Sequence, residues 1–155
     1  MEALQQTLEQ VAAAMAPAAH DWWVIASAAC WLHGIDPGVV RDVDVLLDER
    51  DGDVVLDALG LQAVPGQDDG QFRSRCFVTW QQAPLPVEFF AGFELCEAGQ
   101  WNAVRLATRE WHPVGAVWLP MPSRAELAAL LRRFGRSKDL VRAELLSPSG
   151  LSPSR

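Results

Sequence analysis

The chain of 155 residues predicts an α/β (α+β) fold, a single domain with a mixed sheet flanked by helices, and three observations carry that expectation. Apolar residues recur at helical spacing near both ends, short β-branched and aromatic runs fill the middle, and glycine or proline punctuates the joins. Half of the residues are hydrophobic, and a chain of this length buries a core of its own.

Leu4, Leu8, Val11 and Met15 share one helical face over residues 3–15, and Pro17 ends the run. WWVIAS (22–27) reads as a buried strand that passes through Ser27, Ala28 and Ala29 into a short helix stopping at Gly34. Adjacent Trp22 and Trp23 point to opposite faces of that strand. RDVDVLLDE (41–49) is the next strand, followed by a helix over 52–59, a Gly/Asp-rich turn at 65–70 and the strand RCFVTWQ (75–81). Pro84 and Pro86 lead into VEFF (87–90), another short strand. Residues 91–116 show no clear pattern, although GAVWLP (115–120) returns to an extended form. Ser123 and Glu126 make an S-x-x-E capping box ahead of Leu127, Leu130, Leu131 and Phe134, with Gly135 closing that helix. Ser137 is expected to cap a last helix whose apolar face is Leu140, Val141, Leu145 and Leu146. The domain is therefore expected over 1–146, with the Pro/Ser-rich residues 147–155 as a disordered tail.

A formal net charge of -7 repels phosphate backbones, which disfavours extended nucleic acid as a ligand unless a local basic patch reverses the sign. Cys30, Cys76 and Cys96 are odd in number and lack C-x-x-C spacing, so the expectation is reduced thiols in a cytoplasmic protein. No apolar run reaches the length of a membrane span, and no membrane partner is expected. The acidic stretch from Asp42 to Asp53 fails the calcium-loop spacing, because Leu46 and Leu47 stand where a ligand and the required glycine belong. His20, His33 and His112 have no ligand-like spacing and read as surface or satisfied core residues.

The chemistry rests on three acids in apolar strands. Asp42 and Asp44 alternate with Val43 and Val45, so both carboxylates leave the same face, roughly 6.5 to 7 Å apart at their Cα atoms. Such a pair repels itself and persists in water, beside cations or around a metal. Glu88 stands similarly between Val87 and Phe89. An edge strand with one solvated face accommodates each of these patterns without any ligand. If the two strands pair, the three carboxylates converge into an oxygen-rich site for hard divalent cations, the equipment of phosphoryl transfer.

In order along the chain stand IASAACWLHG (25–34), RDVDVLL (41–47), VEFF (87–90) and GRSKDLVRAELL (135–146). This succession resembles the nucleotidyltransferase fold of the DNA polymerase beta superfamily, particularly its small prokaryotic members, over roughly residues 20–146. The resemblance implies that Asp42, Asp44 and Glu88 hold two Mg2+ ions, that Glu88 acts as base toward the acceptor hydroxyl, and that Ala26 and Ser27 form the turn that receives the triphosphate. The helix N-terminus after Ser27 favours anions independently, and a plain N-cap role for Ser27 stays open. Arg41 and Lys138 would add positive charge near the phosphates, with Arg73 and Arg75 as weaker candidates and Asp139 structural. Two departures stand out: the family carries glycine where Ala26 stands, and its third acid is more often aspartate than glutamate.

The implied activity is transfer of a nucleoside monophosphate from a nucleoside triphosphate to an acceptor, a small molecule, RNA or protein, by a two-metal mechanism. The alternative is a non-catalytic member of the same fold that binds a nucleotide or a protein, in a toxin–antitoxin or defence pair. Nothing in the sequence supplies a separate acceptor domain, so a homodimer or a protein partner could complete the site.

Overall fold

The computed structural model describes residues 2–62, 64–65 and 68–147; the expected disordered tail from 148 onward and part of the 65–70 turn lie outside the described residues. The domain is α+β, as the periodicity predicts. In chain order the elements are α1 (Glu2–Ala14), β1 (Trp23–Ile25), α2 (Ala26–Leu32), β2 (Val43–Leu46), α3 (Glu49–Ala58), β3 (Val64–Pro65), β4 (Phe72–Arg73), β5 (Cys76–Trp80), β6 (Val87–Ala91), β7 (Glu94–Glu97), β8 (Gln100–Ala103), β9 (Glu110–Val114), β10 (Val117–Met121), α4 (Arg124–Phe134) and α5 (Ser137–Leu146). No helix among them is long and apolar enough to cross a membrane.

The central sheet runs β1-β2-β6-β5-β3, with β2 parallel to β6 and the other neighbours antiparallel. Two smaller sheets, β4-β7-β8 and the ribbon β9-β10, account for the stretch that shows no pattern in sequence. Alternation along β2 and β6 sends Val43, Val45, Val87 and Phe89 to one face of the central sheet, where all four are completely buried. Leu4, Leu8 and Val11 of α1 are buried as the helical spacing predicts. Thr7 ties α1 to the loop before β6, its hydroxyl donating to Ala3 O (2.7 Å) and accepting from Leu85 N (3.0 Å).

Asp51, buried in α3, anchors the chain that leads into β1. Its carboxylate accepts from Ala19 N (3.0 Å) and His20 N (2.9 Å) and meets His20 Nδ1 at 3.0 Å. Burial raises the Asp51 carboxyl, but the bonds from Ala19 N and from the side chain and backbone of His20 outweigh it, and the net shift is downward. Because the folded value lies below the unfolded one, this stabilisation is complete above the ordinary carboxylate range and is lost as pH falls through the folded value. Asp51→Asn is therefore expected to cost about 2–3 kcal/mol at neutral pH, since buried donors lose an ionised acceptor. Urea unfolding should show that difference shrinking in acid, and an equal gap at every pH would exclude the ionised anchor.

Several local expectations need correction. Ser123 caps α4 by accepting from Glu126 N (3.2 Å), but the Glu126 carboxylate does not close the box. It is diverted to the loop before β9, where it accepts from Ala107 N (2.7 Å), Thr108 N (2.8 Å) and the Thr108 hydroxyl. The cap of α5 is Arg136, not Ser137, and Asp139 accepts from its backbone N–H (3.2 Å). Of the expected face Leu146 is buried, but Leu140, Val141 and Leu145 are exposed, and α5 buries Asp139 and Ala143 in their place.

Candidate active site

The three acids meet on the sheet face opposite the valines. In the parallel pair β2/β6, Asp44 lies opposite Glu88, and Asp42 precedes Asp44 by two residues on the same side. One carboxylate oxygen from each lies within 4.8 Å of the others, and all three residues are half-buried. Both strands are internal, β2 between β1 and β6 and β6 between β2 and β5, so the solvated-edge explanation of the D-x-D pattern is excluded. Burial above all, then the charges of Asp42 and Glu88 and the hydrogen bond that the protonated Asp44 carboxyl donates to Glu88, push Asp44 well above the usual range. Burial and Asp42 raise Glu88 as well, although its bond to Asp44 pulls the other way. Three hard oxygen donors converging at the expense of mutual repulsion suit a divalent cation such as magnesium, so the residues fit the implied metals.

Beside the acids, the chain turns from β1 straight into α2. Ile25 is extended and occupies the cap position without a side-chain bond, so Ser27 is not the N-cap but the second residue of the helix. Ala26 makes the turn at φ 59°, the left-handed region that glycine adopts freely and a Cβ disfavours. Alanine here thus takes up a glycine-like conformation at the expense of strain and an added methyl group. Ala26→Gly is expected to relieve about 1 kcal/mol of strain, partly offset by the greater freedom of the unfolded chain. The melting temperature should rise modestly and phosphate ligands should bind more tightly, as read by thermal melts and calorimetry; a lower melting temperature would mean that the methyl group packs favourably.

A cavity of about 650 Å3 joins turn and acids. Ala26, Ser27, Arg41, Lys138 and Arg73 line it with the triad, as the sequence suggests, but Arg75 does not. Arg75 faces Glu49 at 3.7 Å beside a second groove. Arg136 and Arg142 also line the cavity, and sequence reading missed both. Arg142 follows Lys138 by four residues, so helical spacing alone puts the two on one side of α5. Arg136 could have been found from the acid three residues later. Its Nε and Nη2 donate to the fully buried Asp139 (2.6 and 3.2 Å), and its guanidinium lies 5.2 Å from the Phe72 ring and 5.8 Å from the Phe134 ring. Asp139, expected to be structural, is thus buried against Arg136 and does not line the cavity. Five of the chain's thirteen lysines and arginines thus surround one cavity in an acidic protein.

An α+β domain with three carboxylates on paired parallel strands beside a strand-to-helix turn defines a class, and the solved structures that it resembles supply the fold. No family model matches this chain, and no curated protein matches it. A candidate nucleotidyltransferase from Thermotoga maritima superposes with a TM-score of 0.70 at 19% identity, over 90% of this chain and 87% of that one. The antibiotic-resistance factor ANT(2'')-Ia, also solved with adenylyl-2''-tobramycin, is similar at a TM-score of 0.58 and 9% identity, over 96% of this chain and 84% of that one. An antigenic nucleotidyltransferase-like protein from Paracoccidioides brasiliensis gives 0.56 at 16%, over 96% and 77%. The chain has the nucleotidyltransferase fold.

Proposed function

We propose that this protein transfers a nucleoside monophosphate from a nucleoside triphosphate to a hydroxyl acceptor. The observation that carries the reading is the β2/β6 register, which sets Asp44 opposite Glu88 with Asp42 alongside. Asp42, Asp44 and Glu88 would hold two magnesium ions, which when bound supply positive charge to phosphate oxygens and acidify a hydroxyl. Ser27 and the backbone N–H groups of the turn would receive phosphate oxygens, and Arg41 and Lys138, free of ion pairs among the described residues, would offset their charge. The acceptor oxygen forms a bond to the α-phosphorus, pyrophosphate leaves with the electrons of the broken P–O bond, and the Glu88 carboxylate takes the hydroxyl proton.

A second reading, nucleotide binding without transfer, is favoured by Ala26, whose methyl group narrows the approach to the turn. Calorimetry with each nucleoside triphosphate, with and without magnesium, tests what the two readings share: absence of magnesium-dependent binding sinks both. Incubation with α-labelled triphosphates and candidate acceptors, the protein included, then separates them by whether label is transferred.

A further inference from the structure

The strand order lays the cavity out as a line. The turn at Ser27 follows β1, the D-x-D pair lies on β2, Glu88 on β6, and next comes β5 with Phe77 paired to Phe90. If phosphates occupy the Ser27 side and Glu88 is the base, the attacking hydroxyl sits beyond Glu88, against β5 and β4. That end is aromatic: Phe72, Phe77 and Phe93 line it half-buried, with ring area left facing the cavity. The rings brace one another, Phe72 stacking on Phe93 at 5.8 Å and meeting Phe134 edge-on at 5.2 Å, while Phe90 meets Phe93 at 4.9 Å.

Charge on this side is already compensated. Arg73 is held by Glu94 (2.5 Å) and lies over the Trp101 ring at 4.3 Å, and Arg136 is held by Asp139. Among the described residues, Asp69 is the one lining carboxylate outside the triad, and it already accepts from Gln71 N (2.9 Å) and Phe72 N (2.7 Å). A polycation entering here would find no carboxylate among the described residues to pair with beyond the triad and Asp69, which two backbone N–H groups already engage.

The geometry points to an acceptor in which the hydroxyl-bearing group is attached to a flat, uncharged ring system, and not to a polycation such as the aminoglycoside bound by a structural neighbour. This rests on the nucleotidyl-transfer reading. A flat ring gains by covering the exposed phenyl faces, of which Phe77, opposite Phe90, is the one carried by the central sheet.

The test loads the protein with magnesium and α,β-methylene-ATP, which cannot be cleaved at the reacting bond, and then titrates adenosine and tobramycin separately by calorimetry. Adenosine is expected to bind the loaded protein and tobramycin to bind at least about tenfold more weakly. Phe77→Leu, which keeps the bulk but removes the flat face, should weaken adenosine by about tenfold, and Phe77→Tyr should retain it. Both variants should hold α,β-methylene-ATP as the wild type does, with unchanged circular dichroism confirming the fold. Tobramycin binding as well as adenosine, no adenosine binding, or an undiminished adenosine affinity in Phe77→Leu each overturns the proposal. So does a matching loss of α,β-methylene-ATP affinity in that variant, which would assign the wall to the base of the donor. Failure of the wild type to bind α,β-methylene-ATP with magnesium sinks instead the transfer reading beneath it.

Discussion

Replacing Asp42 and Asp44 together by asparagine is expected to lower nucleotidyl transfer by about a thousandfold or more while leaving the metal-free fold as stable as the wild type or more so. The two effects have one cause, since the carboxylates that would hold the metals repel one another without them. Asp44 and Glu88 titrate above the ordinary carboxylate range in the folded protein, burial being the first cause and Asp42 the next. A raised folded value destabilises: the penalty is absent in acid below the unfolded values, grows as pH rises through the shifted range, and is complete above it. The wild type should therefore lose stability relative to the double variant between acid and neutral pH. Magnesium with a nucleoside triphosphate should raise the wild-type melting temperature by mass action and leave the variant nearly unmoved. Melts at acid and neutral pH, each with and without the ligand pair, read all of this. An equal ligand shift in both proteins would remove the acids from the site.

Glu88→Gln is expected to separate chemistry from binding. Glutamine keeps the volume and one oxygen but accepts no proton, so transfer should fall by about 10²- to 10⁴-fold. Affinity for the magnesium–nucleotide pair should change much less, because Asp42 and Asp44 remain. Loss of binding in step with transfer would make Glu88 a ligand only, and undiminished transfer would exclude it altogether. Its longer side chain, compared with aspartate, is accommodated by position: β6 lies directly beside β2, and its carboxylate still reaches the other two.

The acids themselves were legible because alternation is a local property. Two aspartates separated by one valine must share a face wherever the strand goes, and Glu88 between Val87 and Phe89 announces the same pattern. The short ribbons between 91 and 116 were not legible, for reasons particular to their residues. Ala98 and Gly99 turn β7 into β8 with both φ angles positive, 50° and 79°, and alanine is no signal for such a turn. Pro113 sits inside β9, where a proline argues against a strand unless the strand is an edge, as it is in a two-stranded ribbon. The basic residues were half legible: Lys138 came from a motif, whereas Arg136 owes its place to Asp139 and two phenyl rings, neighbours gathered from β4 and α4.

The sequence by itself determined which side chains share a face and where most helices begin and end, because spacing and capping act over a few residues. Tertiary structure alone decided that β2 and β6 are parallel neighbours in the register that opposes Asp44 to Glu88. It also turned Leu140, Val141 and Leu145 outward, with Asp139, Ala143 and Leu146 on the inner face of α5, and diverted Glu126 from its cap to the 107–108 loop. Each of these depends on partners distant in the chain. A carboxylate takes whichever donors the folded chain brings nearest, and no local periodicity encodes that choice.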